Sequence, residues 1–471
     1  MSNANVQPLT DCNTTSSAKK AKALYWLGDD LRLADNAILS DISQNAQQLM
    51  LVYCIEPQWF AKAQYQAQYL GKHRLKFLLE SLQALDEALS QYGQQLHIMY
   101  GQAQLCLPYL INTHDITRVY RSDHGGADER AKWQAIKQQC DSNTEFTTFT
   151  TQTLFSSQQL PFELDELPPS FSQFRKLVNN SHFEAVKDEV TWLPPMVALK
   201  SQDKLIQKWV AYPDWLPQTH MLSNVFSGGE LQGKLQLGSY FASNLAHSYK
   251  IVRNELAGWE HSTKFSPWLA NGCLSARQVL SALHEFESQH GANESSRWIE
   301  YELLWREYFH WYAHKFNNKL FWFSGITGKK PLTSFYAKRL QSWKTATTPY
   351  PLVNALMTQL NQTGYMSNRG RQIVASCLIH ELQCDWRYGA AYFQQQLIDY
   401  DVAINWGNWQ YLAGVGADPR GSRRFNLAKQ QQIYDPQGQF IKAWLGSVAL
   451  QQNSIKLVSE LDGVDMADWP C

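Results

Sequence analysis

Two segments in the second half of the chain combine polar and aromatic residues within sequence that otherwise predicts buried helix. The first runs from Thr363 to Gln372 and reads TGYMSNRGRQ, and the second runs from Asp399 to Trp409 and reads DYDVAINWGNW. Amide, guanidinium and carboxylate groups lose favourable hydration in an apolar setting unless a polar partner lies between them. Together the two segments therefore predict the pocket of a large, flat, charged aromatic cofactor.

The side chains of these segments have spacings that could bring them together. Residues 368–372 fall within about one helical turn, and Arg371 could pair with Asp399. Asp399 and Asp401 point the same way if the chain is extended there, and carboxylates so placed suit hydroxyl or amino groups. The alternative is a solvated loop. The candidate side chains are Asn368, Arg369, Arg371, Gln372, Asp399, Asp401, Asn405, Trp409 and Tyr411.

A cluster of hydroxyl side chains precedes a predicted helix start at Pro267. Ser262, Thr263 and Ser266 lie there together with Lys264. Unpaired backbone N–H groups at a helix N-terminus, combined with hydroxyls and a cation, suit a phosphate group. An ordinary capping hydroxyl is the alternative, and taken alone the pattern is more typical of a cap.

A third group of side chains shares one face of a predicted helix. Glu302, Trp305, Arg306 and Phe309 follow the i, i+3, i+4, i+7 spacing. An ion pair between Glu302 and Arg306 would account for the charged members. The sharper interpretation is a flat ligand whose edge is hydrogen-bonded by Glu302 while its ring stacks on Trp305.

The elements that must position these groups differ between the two halves of the chain. In the first part, apolar runs at Ala23–Leu27, Leu49–Ile55, Leu96–Tyr100 and Thr117–Tyr120 predict buried strands, and leucine spacing predicts a helix over His73–Tyr92. Alternating strands and helices predict a doubly wound α/β domain with a parallel sheet. The glycine fingerprint of dinucleotide-binding domains is missing after the first strand.

Later residues predict a connector followed by an all-α domain. Repeated prolines between residues 151 and 220 favour a long connector with short helices only. The predicted organisation is a disordered tail over 1–20, an α/β domain over 21–150, a connector over 151–220 and a helical domain over 221–471. Helices are expected from Ser266 and over Arg297–Phe316, Leu352–Leu360, Asn368–Leu382 and Ala390–Ile398.

Composition excludes several classes of protein. The 471 residues contain 42 Lys plus Arg and 42 Asp plus Glu, so a nucleic-acid site must be a local basic patch. The 8 Cys residues show no metal-clip spacing, which favours reduced thiols in a cytoplasmic protein and predicts no metal site. No apolar run is long enough to span a bilayer. We expect a monomer.

Five motifs taken together resemble the photolyase/cryptochrome family, and DASH-type cryptochromes most closely. They read TKFSPWLANGCLS, ELLWREYF, GYMSNRGRQIVAS, CDWRYGAAYF and LIDYDVAINWGNW. The similarity is continuous over about residues 226–445 and looser over 23–150. The order and joint identity of the five motifs make the resemblance specific.

The resemblance implies FAD, held in a U shape in the helical domain. Asn405 matches the residue beside flavin N5, where an amide helps to stabilise reduced forms. The residues that match the cofactor site are Tyr249, Ser262, Thr263, Lys264, Phe265, Ser266, Arg306, Asn368, Arg371, Asp399, Asp401 and Asn405.

The resemblance also implies a DNA lesion as substrate. Glu302 matches the acid that hydrogen-bonds the bases of a cyclobutane pyrimidine dimer, and Trp305 matches the ring that stacks on it. Gln372 and Tyr411 form the combination typical of DASH proteins, which favour lesions in single-stranded DNA. The expected phosphate contacts are Arg253, Arg369 and Arg424.

The implied activity is light-driven dimer repair, in which photoexcited reduced FAD lends an electron to the lesion. Glu302, Trp305 and Asn405 are intact, which favours repair. The alternative is a blue-light signalling flavoprotein that binds nucleic acid or a protein partner with little repair. A light-independent flavin reductase is a third class, but no motif for a second substrate is evident.

Departures from the family pattern concern two accessory features. Gly28, Asp29 and His124 stand where the family offers other side chains for a folate antenna, so weak or absent methenyltetrahydrofolate binding is expected. Trp409 and Trp386 match the proximal and middle members of the usual tryptophan chain for electron supply. The distal position is Thr333, which is not oxidisable. We expect a break there, or an exit through Tyr336 or Trp322.

Overall fold

The computed structural model describes residues 21–200 except 180, 182 and 184, the backbone of 206–207, and residues 226–417, 421 and 423–446. The predicted tail over 1–20, part of the predicted connector and the end of the chain lie outside these residues. Within the described part, a sheet domain precedes a helical domain, which confirms the predicted fold class.

The N-terminal domain is built on a six-stranded sheet with the order β5-β4-β1-β2-β3-β6. All pairings are parallel except that of β6 with β3. The strands are β1 Ala21–Trp26, β2 Ala46–Ile55, β3 Leu96–Tyr100, β4 Arg118–Ser122, β5 Glu145–Phe149 and β6 Ile206–Gln207. The sequence missed β5 because this edge strand carries exposed polar residues, and it missed β6 because that strand is so short.

Alternation along the central strands divides the apolar residues between the two faces of the sheet. Leu24 and Met50 pack with Leu107 and Trp133 in a core on one face. Tyr25 and its neighbours on the other face belong to a larger core that continues into the helical domain. The sheet is therefore buried on both sides, as parallel sheets require.

The helices cover the sheet and then form the second domain. They are α1 Ala37–Asn45, α2 Lys72–Ser90, α3 Ala103–Thr113, α4 Ala127–Gln139, α5 Phe171–Val178, α6 Glu230–Phe241, α7 Tyr249–Val252, α8 Ser266–Ala270, α9 Ala276–His290, α10 Glu294–Phe316, α11 Ala337–Lys344, α12 Pro351–Thr363, α13 Asn368–Ser376, α14 Trp386–Gln396, α15 Val402–Ala413, α16 Leu427–Tyr434 and α17 Gln439–Leu445. The helix predicted over residues 368–382 changes to a π-helical turn at Cys377–Glu381. Among the described residues, no helix is both long and apolar enough to cross a bilayer.

Buried polar contacts join the two domains. Arg277 pairs with Asp35 at 3.0 Å, and both side chains are almost completely buried. Arg32 donates to the carbonyl oxygen of Gly272 at 2.9 Å. Removing one partner of such a pair would leave a buried charge uncompensated, which is strongly destabilising. These contacts fix the helical domain against the sheet domain and so define the geometry of cavities at their boundary.

Candidate functional site

The helical domain contains a cavity of about 460 Å³. A smaller cavity of about 110 Å³ adjoins it and shares Asn368, Arg371, Gln372 and Asp399 with its lining. The predicted cofactor residues that line the larger cavity are Tyr249, Ser262, Thr263, Lys264, Phe265, Ser266, Arg306, Asn368, Arg371 and Asp399. Asp401 and Asn405 line the smaller one. The structure thus brings together every cofactor residue that the family motifs identified.

Asp399 is the polar centre of this cavity. Its Oδ2 accepts hydrogen bonds from Ser266 Oγ at 2.6 Å and from Arg371 Nη2 at 2.8 Å. The other carboxylate oxygen, Oδ1, is buried and has no hydrogen-bond partner among the residues that the structure describes. A buried unsatisfied acceptor is unfavourable, so a ligand that donates a hydroxyl or amino hydrogen fits this position.

Ser266 does not serve as the ordinary helix cap that was the alternative to a ligand site. Helix α8 begins at Ser266, and Phe265 precedes it with no side-chain capping hydrogen bond. The Ser266 hydroxyl instead donates to Asp399. The hydroxyl cluster therefore belongs to the wall of the cavity.

Asp401 has partners that its position two residues after Asp399 did not predict. It caps helix α15 by accepting from the backbone N–H of Ile404 at 3.0 Å. It also pairs with His310 Nε2 at 2.9 Å, while Arg306 lies 3.9 Å away. Although burial raises the pKa of Asp401, His310 and Arg306 hold it well below its usual range. Asp401 is a fixed anion, and its role differs from that of Asp399.

Arg306 holds backbone from two separate segments at the cavity wall. Its guanidinium donates to the carbonyl oxygens of Gln152 and Leu269. Burial lowers the pKa of Arg306, an effect that the neighbouring Asp401 opposes. Arg306 thus positions the wall in addition to facing the space where a ligand would lie.

Glu302 is not paired with Arg306, so the simple ion-pair interpretation of this helix is wrong. Its carboxylate pairs with Arg253 of the segment after α7 and accepts from Trp298 Nε1 at 3.0 Å. The helical spacing allowed a pair with Arg306, but packing turned that guanidinium towards the backbone of other segments. Burial raises the pKa of Glu302, although Arg253 and Trp298 oppose this effect.

Trp305 lines the cavity and packs among other aromatic rings. Phe171 of α5 stacks on it with ring centroids 3.9 Å apart and an angle of 13° between the planes. Tyr411 meets it edge to face at 5.9 Å. Offset stacking of this kind stabilises ring orientation. The sequence missed Phe171, for which the only signal was an aromatic residue in the proline-rich connector.

The predicted phosphate-binding arginines already have partners in the protein. Arg253 pairs with Glu302. Arg369 donates to Asn254 Oδ1 at 3.1 Å and lies 5.0 Å from the ring centre of Tyr434. Arg424 makes a two-pronged contact with Glu381 at 3.0 and 3.1 Å, but it stays exposed. Their contact with DNA stays a prediction, and a phosphate would have to share them with these partners.

Asn405 and the two tryptophans predicted for electron supply lie on α14 and α15. Asn405 Nδ2 donates to the carbonyl oxygen of Ala390 at 3.0 Å, which fixes the orientation of the amide. Trp409 lines the smaller cavity and packs tightly against Gly389 of α14. Trp386 begins α14 and is fully buried.

The two exits suggested for Trp386, through Trp322 or Tyr336, stay predictions. Trp322 is 51% exposed, and the guanidinium of Arg339 lies 4.2 Å from the centre of the Tyr336 ring. Among the described residues, neither of these rings contacts Trp386, whereas the ring of Trp406 lies 5.8 Å from it between centroids. Sequence reasoning assigned no role to Trp406, although it lies within the motif that contains Asn405 and Trp409.

A second cavity, of about 610 Å³, lies in the N-terminal domain where the parallel strands end. Gly28 and Asp29 follow β1, Glu56 follows β2 and His124 follows β4, and all of them line this cavity. Tyr400 of the helical domain closes one side. Ligands of open parallel sheets commonly bind at this edge.

The polar groups of the second cavity satisfy one another. His124 Nε2 lies 3.0 Å from Asp29 Oδ2, and its Nδ1 accepts from the backbone N–H of Gly126. Burial lowers the pKa of His124, but Glu129 and Asp29 outweigh burial and raise it overall. The residues expected to weaken a folate antenna therefore lie together at a real cavity.

Comparisons with known proteins agree with both halves of this description. Residues 23–191 match the family described as DNA photolyase, and residues 298–461 match the FAD binding domain of DNA photolyase. Proteins named Cryptochrome DASH from Idiomarina loihiensis and Vibrio parahaemolyticus are 48% and 47% identical, over 95% and 96% of this chain and 96% and 98% of their own. The crystal structure of a Synechocystis cryptochrome is similar with a TM-score of 0.84 at 36% identity, covering 90% of this chain and 88% of that one.

Proposed function

Because the chain belongs to the photolyase/cryptochrome family, and within it to the DASH cryptochromes, we propose that it repairs cyclobutane pyrimidine dimers with light and prefers single-stranded DNA. The observation that carries this proposal is that one cavity has both sets of residues in its lining. Glu302, Trp305 and Tyr411, predicted to contact the lesion, line the same cavity as Ser266 and Asp399, predicted to hold the cofactor.

The residues of the cavity fit FAD. Asp399 Oδ1 offers a buried acceptor to a hydroxyl or amino group of the cofactor. Ser262 and Thr263, with Lys264 beside them, suit the diphosphate. Asn405, held by Ala390, would place its amide beside the flavin ring. Bound FAD supplies the photochemical electron transfer, and the protein supplies position and polar stabilisation.

Glu302 and Trp305 would receive the lesion at the mouth of the cavity. Arg253 and Trp298 hold the Glu302 carboxyl in place, so it can hydrogen-bond base edges without first being ordered. Phe171 stacks on Trp305 and restricts the orientation of its ring. A dimer has to leave the base stack to reach both groups, and this step is easiest in a single strand.

Tyr411 underlies the proposed strand preference. Its ring meets Trp305 edge to face, and the guanidinium of Arg423 lies 4.7 Å from its centre. A phenol ring offers less stacking area than an indole, so it offsets less of the free energy of unpairing a lesion from duplex DNA. The neutral net charge of the chain adds no general attraction for duplex.

The proposal is tested with FAD-loaded, chemically reduced protein and oligonucleotides that carry one dimer. Light should remove dimers faster from single strands than from duplex. Glu302→Ala should lower repair by roughly tenfold or more, since a hydrogen bond to a charged group contributes about 1.5–3 kcal/mol, and should leave FAD content unchanged. Glu300→Ala is the matched control, because this acid of the same helix faces His284 instead of the cavity.

The outcomes separate the hypotheses. Equal repair of both DNA forms would contradict the strand preference while leaving repair itself in place. No light-dependent repair of either form, by protein with a full complement of FAD, would contradict repair and favour the signalling flavoprotein.

A further inference from the structure

Electron supply to the flavin needs a route from Trp386 to the surface, and any such route requires that FAD binds at the proposed site. Trp386 is fully buried, and its Nε1 donates to the carbonyl oxygen of Phe323 at 3.0 Å. Thr333, at the position expected for a third tryptophan, has no oxidisable group. A radical confined to Trp386 would recombine before any reductant in solution could reach it.

A continuous series of rings leads away from Trp386 in another direction. Its ring meets that of Trp406 at 5.8 Å and 75°. Trp406 in turn meets Tyr65 at 6.2 Å, and Tyr65 meets Tyr388 at 5.3 Å. Trp406 is 3% exposed, whereas Tyr65 and Tyr388 are partly exposed. The series therefore runs from the buried helix pair α14 and α15 to the surface where the two domains meet.

We propose that Trp406 and Tyr65 replace the missing third tryptophan, so that Tyr65 is the terminal electron donor of this chain. With FAD bound and illuminated, Trp409 would supply one electron to the cofactor, and Trp386, Trp406 and Tyr65 would each pass one electron along the series to restore the tryptophan before it. Tyr65 loses one electron and releases its phenolic proton to water, which leaves a neutral tyrosyl radical. A thiol in solution returns one hydrogen atom to Tyr65 and becomes a thiyl radical, so the net result is one electron passed from thiol to flavin and one proton released to water.

The surroundings of Tyr65 suit this role. Burial raises the pKa of Tyr65, an effect that the charge of the nearby Arg387 opposes and the charge of Asp385 reinforces. The guanidinium lies 5.2 Å from the ring centre. Tyr65 also holds a backbone φ of 64°, which is uncommon for a residue other than glycine. Contacts of its ring with Tyr388 and Trp406 place this N-terminal-domain loop against α14 and α15.

Tyr400 is the rival terminus, since Trp406 Nε1 donates to its hydroxyl at 3.3 Å. The Arg74 guanidinium lies 4.5 Å from the Tyr400 ring centre and donates to backbone carbonyl oxygens, whereas Arg387 beside Tyr65 is paired with Asp385 at 2.7 Å. The less compensated cation beside Tyr400 opposes the loss of an electron from its ring more strongly. Burial raises the pKa of Tyr400, so its proton is harder to release than that of Tyr65. These two effects favour Tyr65.

The test is flash photolysis of FAD-loaded, oxidised protein with dithiothreitol, followed by transient absorption and electron paramagnetic resonance. The wild type should form a long-lived tyrosyl radical whose hyperfine splitting changes when tyrosine is ring-deuterated. Trp406→Phe should abolish this signal, shorten the lifetime of the Trp386 radical and slow photoreduction. Tyr65→Phe should remove the tyrosyl signal, and Tyr65→Trp should replace it with a tryptophanyl signal.

Control variants and a second assay keep the conclusion specific. Trp322→Phe and Tyr336→Phe should leave radical yield and photoreduction unchanged. A tyrosyl signal that survives in Tyr65→Phe, or photoreduction that is unchanged in Trp406→Phe, would overturn the proposal. Dimer repair by chemically reduced protein, measured on the same samples, should be unaffected by Trp406→Phe. If the samples form the expected radicals but do not repair dimers, the result would contradict the proposed function and leave the electron route in place.

Discussion

The helical-domain cavity and the N-terminal cavity differ in how their polar groups are used. The N-terminal cavity is the larger, at about 610 Å³ against about 460 Å³. Its His124 and Asp29 are paired with each other. In the helical domain, Asp399 is held by Ser266 and Arg371, but one of its buried oxygens has no partner within the described part of the chain. Size alone therefore does not identify the functional cavity, whereas an unsatisfied, well-positioned polar group does.

The same contrast is visible in the sequence. Asp399 and its neighbours were predicted to hold a cofactor, and the comparisons bear out an FAD-binding domain over this part of the chain. Gly28, Asp29 and His124 were expected to weaken folate binding, and they line a cavity that the fold forms all the same. The presence of a cavity in the fold therefore does not by itself predict its ligand, which depends on the side chains in the lining.

Asp399→Ala is expected to have the largest effect among the variants that test the contrast between the two cavities. The change removes the buried partner of Arg371 and a contact for the cofactor. Since a hydrogen bond to a charged group contributes about 1.5–3 kcal/mol and about 1.4 kcal/mol is a tenfold change, FAD affinity should fall by roughly tenfold to a hundredfold. Flavin absorbance per chain measures it. Asp29→Ala, the matched change in the other cavity, should keep FAD content, and FAD retention by Asp399→Ala would contradict the account.

A smaller effect is expected for Tyr411→Trp, which would sharpen the assignment of the helical-domain cavity to lesion binding. Stacking of a base on an aromatic ring contributes about 1–3 kcal/mol, so the larger ring should raise duplex repair by roughly several-fold and change single-strand repair less. The ratio of the two repair rates is the measurement. Tyr92→Trp, on the surface of the N-terminal domain, is the control. An unchanged ratio would remove Tyr411 as the cause of strand preference.

The smallest effect concerns folate in the N-terminal cavity. The wild type should bind little folate, and His124→Glu alone should gain little, because Asp29 and Glu129 would then repel the new carboxylate. Combining His124→Glu with Asp29→Asn should raise folate occupancy more than either change alone. The near-ultraviolet band and the folate released on denaturation report occupancy. Strong folate release from the wild type would contradict this prediction.

Much of the site was predictable because motifs specify residue types at fixed spacing along helices. Arg371 and Asp399 were expected to pair, and they do so at 2.8 Å. The alternating strands likewise predicted a parallel sheet, because strands buried on both faces are almost continuously apolar. These features depend on local periodicity and on family motifs, both of which a single sequence contains.

Contacts between distant segments were not predictable. Glu302 pairs with Arg253 instead of Arg306 because packing brings the segment after α7 against α10. Phe171 supports Trp305 from the connector, and Tyr65 reaches Trp406 from the other domain. Sequence spacing predicts neighbours on one helix, but it does not say which of several partners a side chain meets across an interface.

The action spectrum of dimer repair in single-stranded DNA tests the central claim most directly. Reduced, FAD-loaded protein would be illuminated at a series of wavelengths, and the dimers lost per absorbed photon would be counted. Repair should require light and follow the absorbance of the protein-bound reduced flavin across the near-ultraviolet and blue. Absence of repair at every wavelength, in protein that holds one FAD per chain, would contradict the claim that this cavity carries out light-driven repair.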